Sequence, residues 1–280
     1  MLEIHHRETG AVLLAWPEAA LAGARLAGRN LLFADLRGAD LTAADLRGAD
    51  LCSADLTGAT LAGARLVGAD LTGAVLRGVR APEARFTDAK LVGADLTESV
   101  FDGSDFTRVT FKLAYQSEGK GPSFRNAGLS RTYLAHALLR GANLSGADCT
   151  ESCLNGSNLG NACLTGASLR AASLRMTRLA GADLRQADLT QALFHETDLT
   201  GADLALAIMG GTVLARSPTL AAARGLAEVR HAADSCVDLS TLAALCRRGA
   251  ADFLEGIGVT AGELDLVRRL DPQPPASKPG

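Results

Sequence analysis

The sequence predicts an all-β solenoid, in which the chain winds into stacked coils around an apolar centre. Across residues 19–215 a five-residue unit recurs in which a small residue stands two positions before a large apolar one, with exceptions at Arg29 and Pro122 for the small residue and at Ala81 and Cys149 for the large one. We number each unit from its large residue, position i; the 38 units fall in two runs, with i positions spanning Leu21–Phe111 and Phe124–Leu214. Gly stands at i+2 in 18 of the 38 units, where a turn with positive φ favours it.

A period of five matches neither an α-helix nor a flat strand. Each unit has two inward side chains, at i−2 and i, and three outward residues. A chain that turns at every unit therefore brings its leucines to the centre of a coil, and backbone hydrogen bonds stack such coils about 4.8 Å apart. A composition of 48% apolar but only 4% aromatic residues fits a core of Leu and Ala. Because no unit can bury its leucine alone, stability comes from stacking.

The units ADLRG, ADLTA, ADLTG and ANLSG recur almost verbatim. This A-(D/N)-L-x-x pattern resembles the pentapeptide-repeat proteins over roughly 200 of the 280 residues. The resemblance implies a right-handed quadrilateral parallel β-helix with four units in each coil. The 38 units would then form about 9–10 coils and a rod about 45 Å long.

Residues 1–18 do not follow the repeat, and we expect them to form an N-terminal hairpin cap. Leu2–His5 and Ala11–Leu14 are β-prone, and Arg7–Gly10 between them is typical of a turn. An open end of a solenoid is an unpaired sheet edge that invites aggregation, so a cap is needed there.

The repeat is expected to occupy residues 19–216, with a loop inserted at residues 115–123. Phe111 and Phe124 are 13 residues apart, which is two units plus three. The loop is polar, and its Gly-Lys-Gly lacks the frame of a phosphate-binding loop. It is either a tolerated insertion or a recognition loop, and in the second case the contacting residues would be Tyr115, Gln116, Ser117, Glu118, Gly119, Lys120 and Gly121.

The period changes after Pro218, and residues 217–270 are expected to form a helical cap or dimerisation segment. The stretch 220–230 has a helical pattern, and Leu239, Leu242 and Leu245 have helical spacing. Thr260 and Glu263 form a capping box at the start of a further helix. The proline-rich tail, residues 271–280, is expected to be disordered.

Charge is distributed unevenly along a chain whose formal net charge is only −3. Residues 35–70 and 183–203 are acidic, whereas residues 125–178 are basic. Residues 20 apart share a face, so three aspartates form one column with Val75 in its gap, and two more form a second pair: Asp35, Asp55 and Asp95, then Asp183 and Asp203. Aspartate at i−1 either orders the turn through its side-chain acceptor or builds a functional acidic surface.

No catalytic constellation is visible in the sequence, and we expect a protein that is not an enzyme and has no cofactor. The five histidines show no motif that pairs them with a nucleophile, and the six cysteines lack metal-ligand spacing. We therefore expect no metal site. No run of 18 apolar residues and no signal peptide are present, so we expect a cytoplasmic protein without a membrane span.

The family resemblance implies a first interpretation of function, protection of a type II topoisomerase. Proteins in one branch of the family look like duplex DNA in size, shape and acidic surface, bind such enzymes, and in several cases confer resistance to topoisomerase poisons. The partner would then be DNA gyrase or topoisomerase IV, and the C-terminal helices would form a homodimer. The five column aspartates would stand in for phosphates, and the loop would touch the enzyme.

Two other interpretations stay open. The solenoid as a whole is neutral, although duplex DNA carries one charge per about 1.7 Å of axis. The chain is therefore also interpreted as a structural scaffold that docks another protein on one face. Direct nucleic-acid binding through the basic middle coils is the least favoured interpretation, because the chain is net acidic and poor in aromatic residues.

Overall fold

The repeat forms a stack of coils, each 20 residues long. The computed structural model describes residues 1–115 and 120–270. Parallel bridges join residues 20 positions apart, beginning with Arg25 and Asp45, and each five-residue unit contributes one bridge and one turn. The N–H of the i residue donates to the coil above, as from Leu26 to the carbonyl of Asp45 at 2.7 Å. Each coil therefore makes four turns and hydrogen-bonds to its neighbours on every side.

The side chains at i and i−2 fill the interior of the stack. Leu46 and Ala44 are representative, because both are completely buried. The residues at i+2 have positive φ whether or not they are glycine: Gly48 has φ 62° and Ala43 has φ 56°. The inward assignment of i and i−2 and the turn assignment of i+2 are therefore confirmed.

Aromatic side chains replace leucine in the core of the middle coils. Phe86 stacks on Phe106 with ring centroids 4.5 Å apart, and Phe101 stacks on Phe124 at 5.3 Å. Phe106 meets Phe124 edge to face at 5.5 Å. These rings form one block that supports the coils on both sides of the insertion.

The insertion changes the register of the stack by three residues. Before the insertion, bridged residues are 20 positions apart. Across the insertion they are 23 positions apart, as for Val100 and Ser123, and after it they are again 20 apart, as for Ser123 and Asn143. The count of two units plus three is thus confirmed. Tyr115 and Ser123, the two ends of the predicted loop at residues 115–123, both take part in bridges and therefore belong to the ladder.

A hairpin joins the first coil at the N-terminus. Strand β1 (Leu2–His5) pairs antiparallel with β2 (Val12–Trp16). The carbonyl of His5 accepts from Asp35 N–H at 2.8 Å, and the ring of His6 stacks on Phe33 at 5.1 Å. The hairpin therefore satisfies backbone groups on one side of the first coil, at Phe33 and Asp35.

The parallel ladder continues beyond residue 216. Strands β3 (Leu193–His195), β5 (Val213–Ala215) and β7 (Cys236–Val237) form one parallel sheet, and β4 (Ile208–Met209) pairs with β6 (Arg230–His231) in another. The expectation of a helix over residues 220–230 is wrong. Two short 3-10 segments, Pro218–Ala222 and Leu226–Glu228, stand there instead. They turn the chain at coil corners, which lets Leu220 and Leu226 stay buried on the stack.

Three helices follow the ladder: α1 (Leu239–Arg248), α2 (Ala251–Gly256) and α3 (Ala261–Leu270). Asp238 caps α1 by accepting from Thr241 N–H at 3.0 Å, and Gly249 ends it with φ 76°. The capping box is confirmed at the start of α3, where Thr260 N–H donates to Glu263 at 2.8 Å.

The helices pack against the end of the stack. Leu242, Leu245, Phe253 and Leu254 are buried, and Thr241 Oγ1 accepts from Ser217 N–H at 2.9 Å. The segment therefore covers the last coil. Dimerisation through it stays a prediction, and the tail at residues 271–280 lies outside the described residues.

Replacing Leu46 with Asp tests the stacking of inward residues. The substitution puts a carboxylate without a partner at a position that is 0% exposed, so we expect at least about 4 kcal/mol loss of unfolding free energy. Urea denaturation followed by circular dichroism measures this loss. Ala27→Asp is the control, because Ala27 is exposed at an outward position. An unchanged midpoint for Leu46→Asp would contradict the inward assignment.

His231 packs at the junction between the stack and α2. Its ring meets Phe253 edge to face at 5.4 Å, and within the described residues its buried Nδ1 has no hydrogen-bond partner. Desolvation lowers the pKa of His231 below its usual value of 6.5. The folded state therefore resists protonation, and this contribution to stability is present above pH about 6.5 and is lost as the pH falls below it.

We expect His231→Phe to reduce the acid sensitivity of the folded protein. The urea midpoint of the wild type should fall more than that of the variant between pH 8 and pH 5.5. Because the comparison is between two proteins at the same pH values, carboxylates common to both cancel. Parallel pH profiles of the two proteins would show that His231 is not the responsible group.

Candidate protein-docking surface

The outward residues at i−1 form four columns, one on each side of the stack. We name each face after its first aspartate: the Asp35 face, the Asp40 face, the Asp45 face and the Asp50 face. Bridges join each residue to the one above it, for instance Asp35 to Asp55 and Asp40 to Thr60. A side chain on one face therefore has its next neighbour one coil away, at about 4.8 Å along the axis.

The five predicted acidic residues do not share one face. Asp35, Asp55 and Asp95 lie on the Asp35 face, as expected, with Val75 between them. Asp183 and Asp203 lie on the Asp40 face. Successive bridges connect Asp40 to the following residues of that column: Thr60, Arg80, Val100, Ser123, Asn143, Cys163, Asp183 and Asp203. The three-residue insertion shifts the numbering of every later coil, so multiples of 20 no longer identify a face across it.

Arginines neutralise two of these carboxylates. Arg37 donates to both oxygens of Asp35 at 2.8 and 2.6 Å, and this hydrogen bond is the main reason why the pKa of Asp35 is lowered. Arg185 binds Asp183 in the same way, at 2.8 and 2.6 Å, and the pKa of Asp183 falls to about 2. The charge that these two aspartates present to a partner is therefore largely balanced locally.

The other three predicted aspartates, Asp55, Asp95 and Asp203, differ in the surroundings of their carboxylates. Asp95 is only 5% exposed and accepts from the N–H of Thr97 at 3.0 Å, so it does not display a carboxylate at the surface as predicted. Asp55 accepts from Thr57, and Asp203 lies 4.0 Å from Arg224. An acidic surface built on these columns is therefore weaker than the sequence predicts.

Aspartate at i−1 orders the turn that follows it. Its Oδ1 accepts from the N–H two residues later, as in Asp40 with Thr42 and Asp50 with Cys52, both at 3.0 Å. Asn30 makes the same bond to Leu32 at 3.0 Å. The predicted structural role of these aspartates is thus confirmed, and asparagine can perform it without a charge.

The inserted loop is described at its two ends. Tyr115 is 39% exposed on the Asp35 face, and Lys120 is exposed while its carbonyl accepts from Glu98 N–H at 3.1 Å. A side chain on Gly121 would lie 2.6 Å from the backbone nitrogen of Ala142, so glycine is needed there for packing. Gln116, Ser117, Glu118 and Gly119 lie outside the described residues, and contact of the loop with a partner stays a prediction.

Within residues 1–115 and 120–270, no group of three or more His, Cys, Asp or Glu residues could hold a metal ion.

Two of the cysteine thiols have raised pKa values. Burial, together with hydrogen bonds to Asp50 and Asp70, raises the pKa of Cys52 to about 12. Desolvation likewise raises the pKa of Cys149 to about 12. Both thiols stay protonated at neutral pH and are poor nucleophiles.

One outward feature escaped the sequence interpretation. Tyr133 and Leu138 at i−1, and Leu113 and Met176 at i+2, are large apolar residues exposed on the middle coils. Apolar residues at outward positions of the unit would have indicated this surface in the sequence. They are hard to recognise there because the chain has so many apolar residues at inward positions.

Four outward columns around an apolar core define a repeat protein that carries its outward side chains on an ordered backbone. The profile of pentapeptide repeats matches in eight copies over residues 19–114 and 123–215. The chain belongs to the pentapeptide-repeat family. The family is generally non-enzymatic. No helix among the described residues has the length and apolarity required to cross a membrane.

Solved structures of the same repeat are similar to this chain. HetL, a protein involved in heterocyst differentiation regulation in the cyanobacterium Nostoc, is 27% identical over 78% of this chain and 90% of its own, with a TM-score of 0.33. QnrB1, a plasmid-mediated fluoroquinolone resistance protein, is 18% identical over 78% of this chain and 97% of its own, with a TM-score of 0.34. Among curated proteins, none matches the chain.

Replacing Arg37 with Ala tests the local neutralisation of the Asp35 face. Loss of the bidentate hydrogen bond should raise the pKa of Asp35 toward 3.8, its usual value. A carboxyl-carbon NMR titration measures this shift. Asp40 provides the internal control, because its pKa is lowered by Thr42 and should not move. An unmoved Asp35 would show that Arg37 does not hold the carboxylate in solution.

Proposed function

We propose that this protein acts without catalysis, by docking its outer faces against another protein. The repeat places outward side chains on a hydrogen-bonded backbone whose interior is fully packed. A partner therefore meets a surface that is ordered before contact, which lowers the entropic cost of binding. We also propose that the coil stack is the right-handed quadrilateral β-helix that the family resemblance implies, because it makes four turns in each 20-residue coil.

We further propose a type II topoisomerase, DNA gyrase or topoisomerase IV, as the partner. One observation carries this proposal: five consecutive units place aspartate at i−1 around the N-terminal coils, which we call the acidic belt, namely Asp35, Asp40, Asp45, Asp50 and Asp55. Arg37 pairs with Asp35 and also lies 4.0 Å from Asp55, and Arg47 pairs with Asp45, so two guanidinium groups face five carboxylates. The belt is therefore net negative and suits a basic protein surface that otherwise binds DNA phosphates.

The second candidate is a scaffold whose partner is another protein. It is favoured by the burial of Asp95 and the pairing of Asp183 with Arg185, because both reduce the resemblance to a row of phosphates. The separation of the acidic residues onto two faces also favours it. The two candidates differ in the enzyme that responds to the protein, so one assay separates them.

A gyrase supercoiling assay with and without a fluoroquinolone tests the topoisomerase proposal. Titrated protein should restore supercoiling in the presence of the poison. The triple variant Asp40→Asn, Asp50→Asn and Asp55→Asn should lose at least tenfold in potency. Because asparagine keeps the turn hydrogen bond, as Asn30 shows, the variant removes charge and leaves the fold intact.

Asp148→Asn is the matched control, since Asp148 makes the same turn bond to Thr150 at 3.0 Å but lies in the middle coils. Rescue that survives the triple variant would overturn the acidic belt as the contact. Absence of any effect on gyrase and on topoisomerase IV would overturn the topoisomerase proposal and leave the scaffold as the function.

A further inference from the structure

Exposed apolar side chains gather on the middle coils, on two adjacent faces and the edge between them. Tyr133 stands on the Asp50 face and Leu138 on the Asp35 face, 42% and 49% exposed. Met176 at the edge is 64% exposed, and Leu113 at the same edge is 55% exposed. Together with Tyr115, these residues form what we call the Tyr133 surface.

Backbone hydrogen bonds place these side chains on neighbouring coils. Leu138 N–H donates to the carbonyl of Ala114 at 2.9 Å, next to Tyr115, and Tyr133 bridges to Thr110. The coil that carries Tyr133 and Leu138 therefore lies directly on the coil that carries Leu113 and Tyr115. The surface is continuous across this junction.

The edge between the two faces continues upward to Met176. The ring of His136 lies over Gly156, where an added Cβ would be 2.6 Å from Nδ1. Met176 occupies the equivalent corner of the next coil, since Gly156 N–H donates to the carbonyl of Arg175 at 2.8 Å. Gly156 thus leaves room for the imidazole, and the edge presents Leu113, His136 and Met176 in order.

Folding alone does not account for the apolar residues at this edge. Leu113 and Met176 have φ values of 59° and 57° at i+2, where glycine stands in 18 of the 38 units. A bulky residue in this conformation costs on the order of 1 kcal/mol relative to glycine. Their side chains are also exposed, so they return little burial energy to the fold. Binding to a partner would offset both costs.

Basic side chains flank the coils that carry the Tyr133 surface, while the acidic residues Glu196 and Asp198 lie one coil above Met176 and Arg178. Lys112, Arg175 and Arg178 are outward on the same two faces and edge, and all are exposed or at an exposed corner. Among the described outward residues of these faces from Thr110 to Arg178, none is aspartate or glutamate. The three cations on these coils therefore favour a partner that carries carboxylates.

We propose that the Tyr133 surface binds an acidic protein segment that carries leucine or aromatic side chains. Its apolar side chains would pack on Tyr133, Leu138 and Met176, while its carboxylates pair with Arg175 and Arg178. This surface is separate from the acidic belt of the proposed topoisomerase contact. The acidic belt suits a basic partner surface, whereas the Tyr133 surface suits an acidic one.

A second copy of this chain fits the surface less well. Four coils at about 4.8 Å each, with two faces, offer on the order of 400 Å², half of the 800 Å² per partner that stable interfaces usually bury. A symmetric contact would also bring Arg175 and Arg178 against themselves. Single-stranded nucleic acid would stack on Tyr115 and Tyr133, but it would leave the aliphatic side chains of Leu113, Leu138 and Met176 without matched contacts.

Panning a random dodecapeptide phage library on the full-length protein tests the proposal. Enriched peptides should have a net charge of about −3 or more negative, and they should contain a leucine or aromatic residue. The most enriched peptide is then synthesised with a fluorescent label, and its affinity for the wild type and variants is measured by anisotropy. Failure to enrich any sequence, or enrichment without an acidic bias, would overturn the proposal.

The double variant Leu113→Gly and Met176→Gly removes two apolar contacts without harming the fold. Glycine is the favoured residue at both corners, so the melting temperature should stay equal or rise while peptide affinity falls at least tenfold. Gln186→Gly is the control, because Gln186 has φ 60° at another corner of the stack and should leave affinity unchanged.

The double variant Arg175→Glu and Arg178→Glu tests the charge requirement. It should weaken the acidic peptide at least tenfold, whereas Arg85→Glu on the Asp45 face should have no effect. Affinities within twofold of the wild type for both double variants would overturn the Tyr133 surface as the site. Tighter binding of a labelled 20-nucleotide oligo-dT than of any peptide, lost with Arg175→Glu and Arg178→Glu, would overturn a protein segment as its occupant.

Discussion

The structure depends on one constraint: each coil must supply hydrogen bonds to the coil below and the coil above while keeping its leucine at the centre. Leu26, for example, buries its side chain completely and uses its N–H to reach Asp45. The five-residue unit meets both requirements at once, because two residues point inward and the next two turn the chain. Everything outside positions i−2 and i is then free to vary, provided that the corner residue accepts positive φ.

This separation of roles explains what could be predicted. Leu46 and Ala44 were recognisable as inward residues from position in the unit alone, and the three-residue insertion followed from the distance between Phe111 and Phe124. The helix expected over residues 220–230 was wrong because alanine and leucine at these positions suit both a helix and a coil. Stacking on the preceding coil decided between them, and stacking is a tertiary contact that local propensity does not report.

The candidate site was predicted less well than the fold. Sequence position identified aspartates as outward, but it did not show that Arg37 neutralises Asp35 or that Asp95 is buried. These outcomes depend on side chains from the same corner and from adjacent coils. The Tyr133 surface was missed for a related reason, since its members are separated by up to 63 positions between Leu113 and Met176 and meet only through stacking.

The register change at the insertion has a geometric consequence for how such a protein can diversify. Adding 20 residues inserts one whole coil, which moves the acidic belt about 4.8 Å farther from the Tyr133 surface and keeps every later residue on its face. Adding five residues instead rotates all later faces by a quarter turn. Distance and relative orientation of two docking surfaces can thus be set independently, in discrete steps, by the length of a single insertion.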